Sequence, residues 1–372
     1  MITSNDFIDD VKNSAYGLSP TFDTGDINLS SWAGFKTLLD LGAETGRIFN
    51  TELVSTYALH PAVSAISGPF YGGVLGLDGA IYFIPANAPF VQRIKNGLIT
   101  TLSLIYSTLS GYTGGVLSSN GDIHFVPYSA SVGQKISAQG IISTYNLVYT
   151  EEFAYKGGVL DSHGYTHFIP SIATIGQKIS SGGTVSTYPL AYGSGNNMSS
   201  GGVLSPTGEV HFIPASSSVG QKVKVNGTAE TYPLMYSTAY AYSGGVLAPN
   251  GDIHFVPHNA SVGQKISLEG TVSTYPLMYS TAYAYSGGVL APNGDIHFIP
   301  FWAVVGQKVS KEGIVSTYSL PYTTQSAYSG GVVTPEGEIH FINYFAKTGI
   351  VISPTGINEN QGVPLSPFYN NT

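Results

Sequence analysis

The sequence predicts an all-β fold, a closed seven-bladed β-propeller of four-stranded antiparallel blades whose last blade is completed by both termini. The prediction rests on a regular repeat, on four strand-like segments within each repeat, and on half-repeats at both ends of the array. The repeat is marked by Gly-Gly-Val in steps of 42 to 44 residues, and one propeller blade takes about 40–50 residues. The string opens at residues 72, 114, 157, 201, 244, 287 and 330.

The repeat 242–284 shows the four strand-like segments, which read GGVL, DIHFV, GQKIS and TVSTYPL. Asn250-Gly251 joins the first two, and we expect a type I′ turn there because both residues tolerate a positive φ. Leu268-Glu269-Gly270 joins the last two as a short hairpin. No apolar pattern of period 3.6 occurs within the repeat, which excludes a helical solenoid. Residues 231–255 and 274–298 are identical, which indicates a recent duplication.

Half-repeats at the two ends predict that one blade is shared between the termini. Residues 46–57 match the second half of a repeat, and residues 330–342 match the first half. Joining them removes open sheet edges. Residues 46–49 and 349–353 compete for the third strand of this blade; we favour 349–353, while the other choice stays open. The resulting divisions are an N-terminal docking segment with two short helices, the propeller and an extended C-terminal arm, at 1–45, 46–353 and 354–372.

The composition suits short strands joined by tight turns. Of the 372 residues, 42% are hydrophobic, and glycine and tyrosine contribute 46 and 26 residues. Only 10% are charged, whereas soluble domains usually contain about 25%. A helical bundle would need far more Glu, Lys and Ala. The absence of cysteine excludes disulfides, thiolate metal sites and cysteine nucleophiles.

The motif GGVLxPNGxIHFxP resembles the β-propeller superfamily in the size range of kelch and WD40 repeats. Neither signature is complete, because the Trp-Asp pair of WD40 and the later Tyr and Trp of kelch are missing. The motif is also similar to propeller arrays in virion proteins of tailed phages and other large viruses. That resemblance implies a phage structural protein, part of a tail, a fibre or a capsid decoration, which docks to other virion proteins through residues 1–45.

Charge and hydropathy exclude several classes of partner. The net charge is −8 and the 14 Lys and Arg residues do not cluster, so we expect no nucleic-acid partner. The N-terminal sequence MITSNDFIDD lacks the basic and apolar regions of a signal peptide. No apolar run approaches the roughly 20 residues of a membrane span, so we expect no membrane insertion. Together with the phage resemblance, this predicts a protein made in a host cytoplasm and located in the virion.

Four repeated polar or glycine positions invite a functional interpretation, and we predict structural roles for all of them. A histidine recurs on the second strand, and we expect a ring of hydrogen bonds between blades. The acid after the first turn follows from turn chemistry, and the lysine of each Gln-Lys pair is expected to be a solvated or snorkelling strand residue. We expect the Gly-Gly pairs to allow close backbone packing near the axis. The histidines are His124, His167, His211, His254, His297 and His340, with Tyr82 in the remaining repeat.

Catalytic and metal sites require side chains that break the repeat on a few blades. The residues that do so include Glu151, Asp161, His163 and His258, and they form no acid/base pair, triad or metal cluster in the sequence pattern. We therefore predict that the protein is not an enzyme and uses no cofactor or metal. A propeller hydrolase or lyase is the least favoured alternative.

The connections after the second and fourth strands emerge on one side of the propeller, which we call the loop face; the opposite side is the hairpin face. The loop-face connections vary in sequence and are rich in Tyr, Ser, Thr and Asn, a mixture typical of binding surfaces. We predict a host glycan or protein partner on this face, with a free carbohydrate-binding lectin and purely structural loops as alternatives. The candidate binding residues are Phe301, Trp302, His258, Asn259, Tyr128, Tyr344, Tyr240 and Tyr283.

Overall fold

A computed structural model describes residues 53–192, 198–321 and 324–353, which form seven four-stranded antiparallel sheets. The predicted all-β seven-bladed propeller is confirmed. In six blades the four strands follow one another in the sequence and lie side by side in that order. These strands are β2–β5 (Phe70–Leu75, Ile81–Pro85, Phe90–Lys95, Leu98–Ser103), β6–β9 (Tyr112–Leu117, Ile123–Pro127, Val132–Ile136, Ile142–Asn146), β10–β13 (Tyr155–Leu160, Thr166–Pro170, Ile175–Ile179, Val185–Pro189), β14–β17 (Ser199–Leu204, Val210–Pro214, Val219–Val223, Ala229–Pro233), β18–β21 (Tyr242–Leu247, Ile253–Pro257, Val262–Ile266, Val272–Pro276) and β22–β25 (Tyr285–Leu290, Ile296–Pro300, Val305–Val309, Val315–Ser319).

The seventh sheet combines three late strands with one early strand, in the order β26, β27, β28, β1. Strand β1 pairs antiparallel with β28, and its register runs from Leu53 opposite Ser353 to Ala58 opposite Thr348. Since β28 runs from the loop face to the hairpin face, Leu53 and Ser353 both lie at the hairpin face. These strands are β1 (Leu53–Ala58), β26 (Tyr328–Val333), β27 (Ile339–Asn343) and β28 (Thr348–Ser353).

In this sheet the third-strand position belongs to β28, the assignment favoured above. The rival segment 46–49 lies outside the described residues, as do the docking segment 1–45 and the C-terminal arm 354–372. Within the described ranges a 3₁₀-helix at Pro61–Ala65 links β1 to β2. No helix there is long and apolar enough to cross a membrane.

The Gly-Gly pairs bring neighbouring blades together near the axis. The first strands of adjacent blades pack against one another around the ring, and β2 against β26 completes it. A Cβ on Gly73 would lie 2.6 Å from the Ile342 Cδ1 atom of the neighbouring blade. Gly72 precedes it with a φ of 71°, a left-handed conformation that favours glycine. The predicted role of the glycines in close packing is confirmed.

The hairpin turn within each repeat differs from the predicted type I′ turn. Gly251 has a φ of 89°, but Asn250 is not among the residues with a positive φ. The Gly251 N–H donates to the Ala248 carbonyl at 3.0 Å, and Asp252 accepts from the Ala248 N–H at 2.8 Å. The loop is therefore a type I turn followed by a left-handed glycine. Pro249 favours this turn, because its fixed φ of about −65° suits the first central position of a type I turn. The same turn forms without a proline between Ser118 and Asp122, so the proline is not required for it.

A buried glutamine on the third strand joins a blade to the connector that precedes it. Gln264 Oε1 accepts hydrogen bonds from the N–H groups of Met235 and Tyr236 at 3.0 and 2.8 Å. In the seventh blade Ile350 takes the position of the glutamine, and the preceding connector has Pro321, which lacks an N–H, where other connectors have a donor. The sequence analysis did not single out these glutamines, which are Gln92, Gln134, Gln177, Gln221, Gln264 and Gln307.

Candidate functional site

Four of the six repeated histidines form a hydrogen bond to a tyrosine of the same blade, and not between blades as predicted. His254 Nδ1 lies 3.1 Å from the Tyr275 hydroxyl across the third strand. The tyrosine ring can cross this strand because Gly263 has no side chain; a Cβ there would lie 2.2 Å from the ring. Burial lowers the pKa of His254 to about 4, so the imidazole is neutral at pH 7. The same tyrosine contact is made by His124, His167 and His297.

In four blades the repeated lysine forms an ion pair with the acid after the first turn, a more specific role than the predicted solvated or snorkelling side chain. Lys265 Nζ lies 2.6 Å from Asp252 Oδ2. Lys265 stands opposite His254 in the strand register, and its long side chain reaches the adjacent hairpin. The corresponding pairs are Lys135–Asp122, Lys222–Glu209 and Lys308–Asp295.

At the hairpin face of the fourth blade, Lys224 and Glu230, which break the repeat, join the repeated residues Glu209 and Lys222 in one charged cluster. A cleft of about 480 Å³ between the fourth and fifth blades is lined by Glu209, His211 and Lys222. Lys222 bridges the two carboxylates Glu209 and Glu230, and Lys224 also pairs with Glu230. Each of these carboxylates already has a lysine partner, so the cluster is an ion-pair network and not an acid/base pair. Within the described ranges no group of three or more side chains could hold a metal ion.

On the loop face, six side chains from four consecutive blades form a continuous series of ring contacts, which we call the aromatic arc. Trp302 and Tyr283 have their ring centres 4.7 Å apart, and Tyr283 lies 5.2 Å from His258. His258 contacts Phe301 at 5.8 Å, and Phe301 contacts Tyr344 at 6.1 Å. Tyr344 then contacts Tyr71 at 6.0 Å. Most of the predicted binding residues therefore lie together: Trp302, Tyr283, His258, Phe301 and Tyr344.

The arc is both fixed and accessible. The Trp302 indole N–H donates to the Ser326 hydroxyl at 3.0 Å, while 36% of the residue remains exposed. His258 Nδ1 lies 2.7 Å from the Tyr285 carbonyl, which the imidazole N–H satisfies as a donor. Burial lowers the pKa of His258 to about 4, so this ring is neutral at pH 7. Phe301 and Tyr344 are half-buried, which leaves part of each ring open to a partner.

Asn259 fixes a connector beneath the arc. Its Oδ1 accepts from the Tyr283 N–H at 2.8 Å, and its Nδ2 donates to the Ala239 carbonyl at 3.2 Å. Tyr283 has a φ of 58°, so the bond stabilises a backbone conformation that is costly for a non-glycine residue. Tyr240 occupies the same position in the preceding connector, with a φ of 54° and 41% exposure. The amide of Asn259 thus acts within the protein, whereas the Tyr240 side chain is partly exposed.

Lys156, which the sequence analysis missed, lies at one end of the arc. Its Nζ is 5.4 Å from the ring centre of Tyr71 and donates a hydrogen bond to the Tyr71 hydroxyl. Burial lowers the pKa of Lys156, but Tyr71, Tyr128 and Tyr240 outweigh it, so the net shift is upward and the lysine is charged. An alignment of the repeats could have identified Lys156, because this blade has Tyr-Lys-Gly-Gly where other blades have Tyr-Ser-Gly-Gly. Tyr128 and Tyr240, two further predicted residues, thereby join the centre of the face.

Comparison with known proteins supports the fold and no finer relationship. The chain matches no protein-family model, and no curated protein sequence matches it. Among solved structures it is similar to a streptogramin B lyase, with a TM-score of 0.69 and 20% identity over 81% of this chain and 97% of that one. A virginiamycin B lyase from Staphylococcus aureus gives 0.69 and 17% over 81% and 99%. The WD40 β-propeller domain of Doa1 gives 0.62 and 12% over 82% and 98%. At these identities the similarity establishes a propeller and leaves activity open.

Proposed function

We propose that this propeller is a non-enzymatic binding protein that holds a host-surface glycan on its loop face. The observation that carries the proposal is the aromatic arc, which joins side chains from four blades into one partly exposed surface. Aromatic rings offer a large contact area and lose little conformational freedom on binding. Their faces pack against the apolar faces of sugar rings, and the tyrosine hydroxyls of the arc can donate to and accept from sugar hydroxyls.

We further propose that the protein is carried on a virion, with its hairpin face towards the particle. The support is the resemblance of the repeat to phage virion propellers and the polarity of the fold. Leu53 and Ser353 both lie at the hairpin face, opposite the aromatic arc. A docking segment that precedes Leu53 would therefore leave the loop face directed away from the particle. A free lectin would use the same arc without any particle.

The double change Phe301→Ala and Trp302→Ala tests the binding surface. It should weaken glycan binding by about 2 kcal/mol, the size of a hot-spot truncation, and leave the melting temperature nearly unchanged. A glycan array measures binding, and a melting curve measures stability. The matched control is Leu77→Ala with Leu98→Ala, which removes two side chains that are 68% and 65% exposed at the hairpin face.

The control variant should bind glycans like the wild type. A large loss of stability in the Phe301/Trp302 variant, with unchanged binding per folded molecule, would show that the arc is part of the core and would overturn the proposal. If the protein binds a host protein and no glycan, the ligand of the loop face is a protein and not a glycan.

A further inference from the structure

Lys156 breaks the sevenfold repeat at a position where the fold uses a small hydroxyl residue. It is the second residue of β10, the first strand of its blade. In five other blades this residue is Ser or Thr, and in four of them its hydroxyl donates to a carbonyl of the next blade at 2.7 to 3.1 Å. Packing alone therefore does not require a lysine here. The four hydroxyl residues are Thr113, Ser243, Ser286 and Ser329.

The ammonium group lies over the axis, among side chains from other blades. Tyr71, 5.4 Å from Nζ, belongs to the first blade, whereas Lys156 belongs to the third. Tyr128 follows the second strand of the second blade and Tyr240 precedes the fifth blade, and both are near enough to act on the pKa of Lys156. Tyr344 of the seventh blade contacts Tyr71 from the other side. Only a position over the axis brings these blades to one point.

Within residues 53–192, 198–321 and 324–353 this cation has no carboxylate partner. The groups that act most strongly on its pKa are tyrosines and burial. The repeated lysines at the hairpin face, in contrast, are ion-paired, as Lys265 is with Asp252. A partly desolvated ammonium group without a counter-ion favours the binding of an anion.

The surroundings select the class of anion. A single ammonium matches the single charge of a carboxylate, whereas a phosphate dianion is usually met by several cations or by a helix N-terminus. We infer that Lys156, with Tyr71, Tyr128, Tyr240 and Tyr344 around it, binds the carboxylate of an acidic saccharide, a uronic or sialic acid residue whose neighbouring sugars lie on the aromatic arc. The inference rests on the proposed function and names its ligand.

The probes are oligosaccharides that end in glucuronate or N-acetylneuraminate and the same oligosaccharides without the acidic residue. Isothermal titration of the full chain should show that at least one acidic probe binds about tenfold more tightly or better than its neutral counterpart. Lys156→Ser, which introduces the residue that the fifth to seventh blades use, should abolish the preference without changing the melting temperature. Lys156→Arg should retain it. Raising the salt from about 0.05 to 0.5 M should reduce the wild-type preference, because a partly exposed charge pair is screened.

The inference is overturned if wild-type protein binds acidic and neutral probes equally, if Lys156→Ser keeps the preference, or if the preference is insensitive to salt. It is also overturned if only acidic peptides bind. In these cases the proposed glycan surface is judged separately by the Phe301/Trp302 variant on neutral probes. If Lys156→Ser is unstable, the salt dependence of the wild type still decides the question.

Discussion

At the scale of single residues, the buried histidines tie stability to pH. Burial is the main cause that lowers the pKa of His124, His211 and His254 to about 4, and nearby lysines lower it further. In the unfolded chain a histidine titrates near 6.5. A group whose pKa is lower in the folded state stabilises the protein fully above the unfolded value. That contribution is lost as the pH falls from about 6.5 to 4.

We therefore expect the free energy of unfolding to fall between pH 6.5 and 4.5, by on the order of 1 kcal/mol per pH unit for each buried histidine. Urea unfolding at several pH values measures the slope. His254→Gln, which keeps a partner for Tyr275 but does not titrate in this range, should have a shallower slope than the wild type. Equal slopes for the two proteins, or a flat profile for the wild type, would contradict a neutral buried imidazole.

Single residues also mark the limit of what the sequence predicted. The aromatic candidates Phe301, Trp302 and His258 were found because they stand where near-duplicate repeats differ. The contact of Phe301 with Tyr344, and of Tyr344 with Tyr71, depends on the closure of the propeller, which places the seventh blade beside the first. No local pattern contains that contact.

At the scale of strands and connectors, the buried glutamine of the third strand joins neighbouring blades, because it binds two backbone N–H groups of the preceding connector; we call this contact the glutamine clamp. Gln264 is completely buried, and its side-chain oxygen serves two N–H groups of the previous connector. An unsatisfied buried donor costs about 1–3 kcal/mol, more than the net gain from an ordinary hydrogen bond. The clamp therefore stabilises the boundary between blades more than its two bonds suggest.

Gln264→Leu should lower the free energy of unfolding by about 2–4 kcal/mol, because it leaves the N–H groups of Met235 and Tyr236 without their acceptor. Chemical unfolding monitored by fluorescence measures the change. Gln139→Leu is the control, since Gln139 lies exposed in a hairpin turn. A Gln264→Leu protein as stable as the wild type would show that the connector finds other partners.

The strand content of each repeat was predictable because β-branched residues, Gly-containing turns and the repeat length agree. The glutamine clamp could not be predicted in this way, because Gln264 and Met235 are 29 residues apart and belong to different blades. The histidine partner was assigned to the wrong blade for a related reason. The alternation of side chains along a strand places His254 on one side of its sheet. Only Gly263 shows that a tyrosine ring crosses the same sheet, because a side chain at that position would block the ring.

At the scale of the whole molecule, the two faces are chemically different. The loop face has the aromatic arc and Lys156, whereas the hairpin face has ion-paired lysines such as Lys265 and both ends of the described chain. Every described strand of the propeller begins at or after Leu53, so a deletion of residues 1–45 removes none of them. The proposed docking and the proposed ligand binding can therefore be tested separately by truncation.

Deletion of residues 1–45 should leave the melting temperature and glycan binding unchanged but abolish co-purification with virus particles. Sedimentation of particles from the native source, followed by immunodetection, measures incorporation. The Phe301/Trp302 variant is the converse control, because it should be incorporated normally. Full-length protein that never sediments with particles would favour a free lectin, and a truncated protein that still does so would place the docking contact elsewhere.

The boundary between the sixth and seventh blades has consequences for how the array could have grown. There Pro321 replaces an N–H donor, and Ile350 replaces the glutamine that would have accepted from it. A duplicated repeat inserted elsewhere brings a connector and a glutamine that fit its new neighbours. Inserted at this boundary, it would place a connector with free donors beside Ile350. Each of the identical segments 231–255 and 274–298 contains a connector whose N–H groups bind the glutamine of the following blade, so a copied blade keeps this contact with its neighbours.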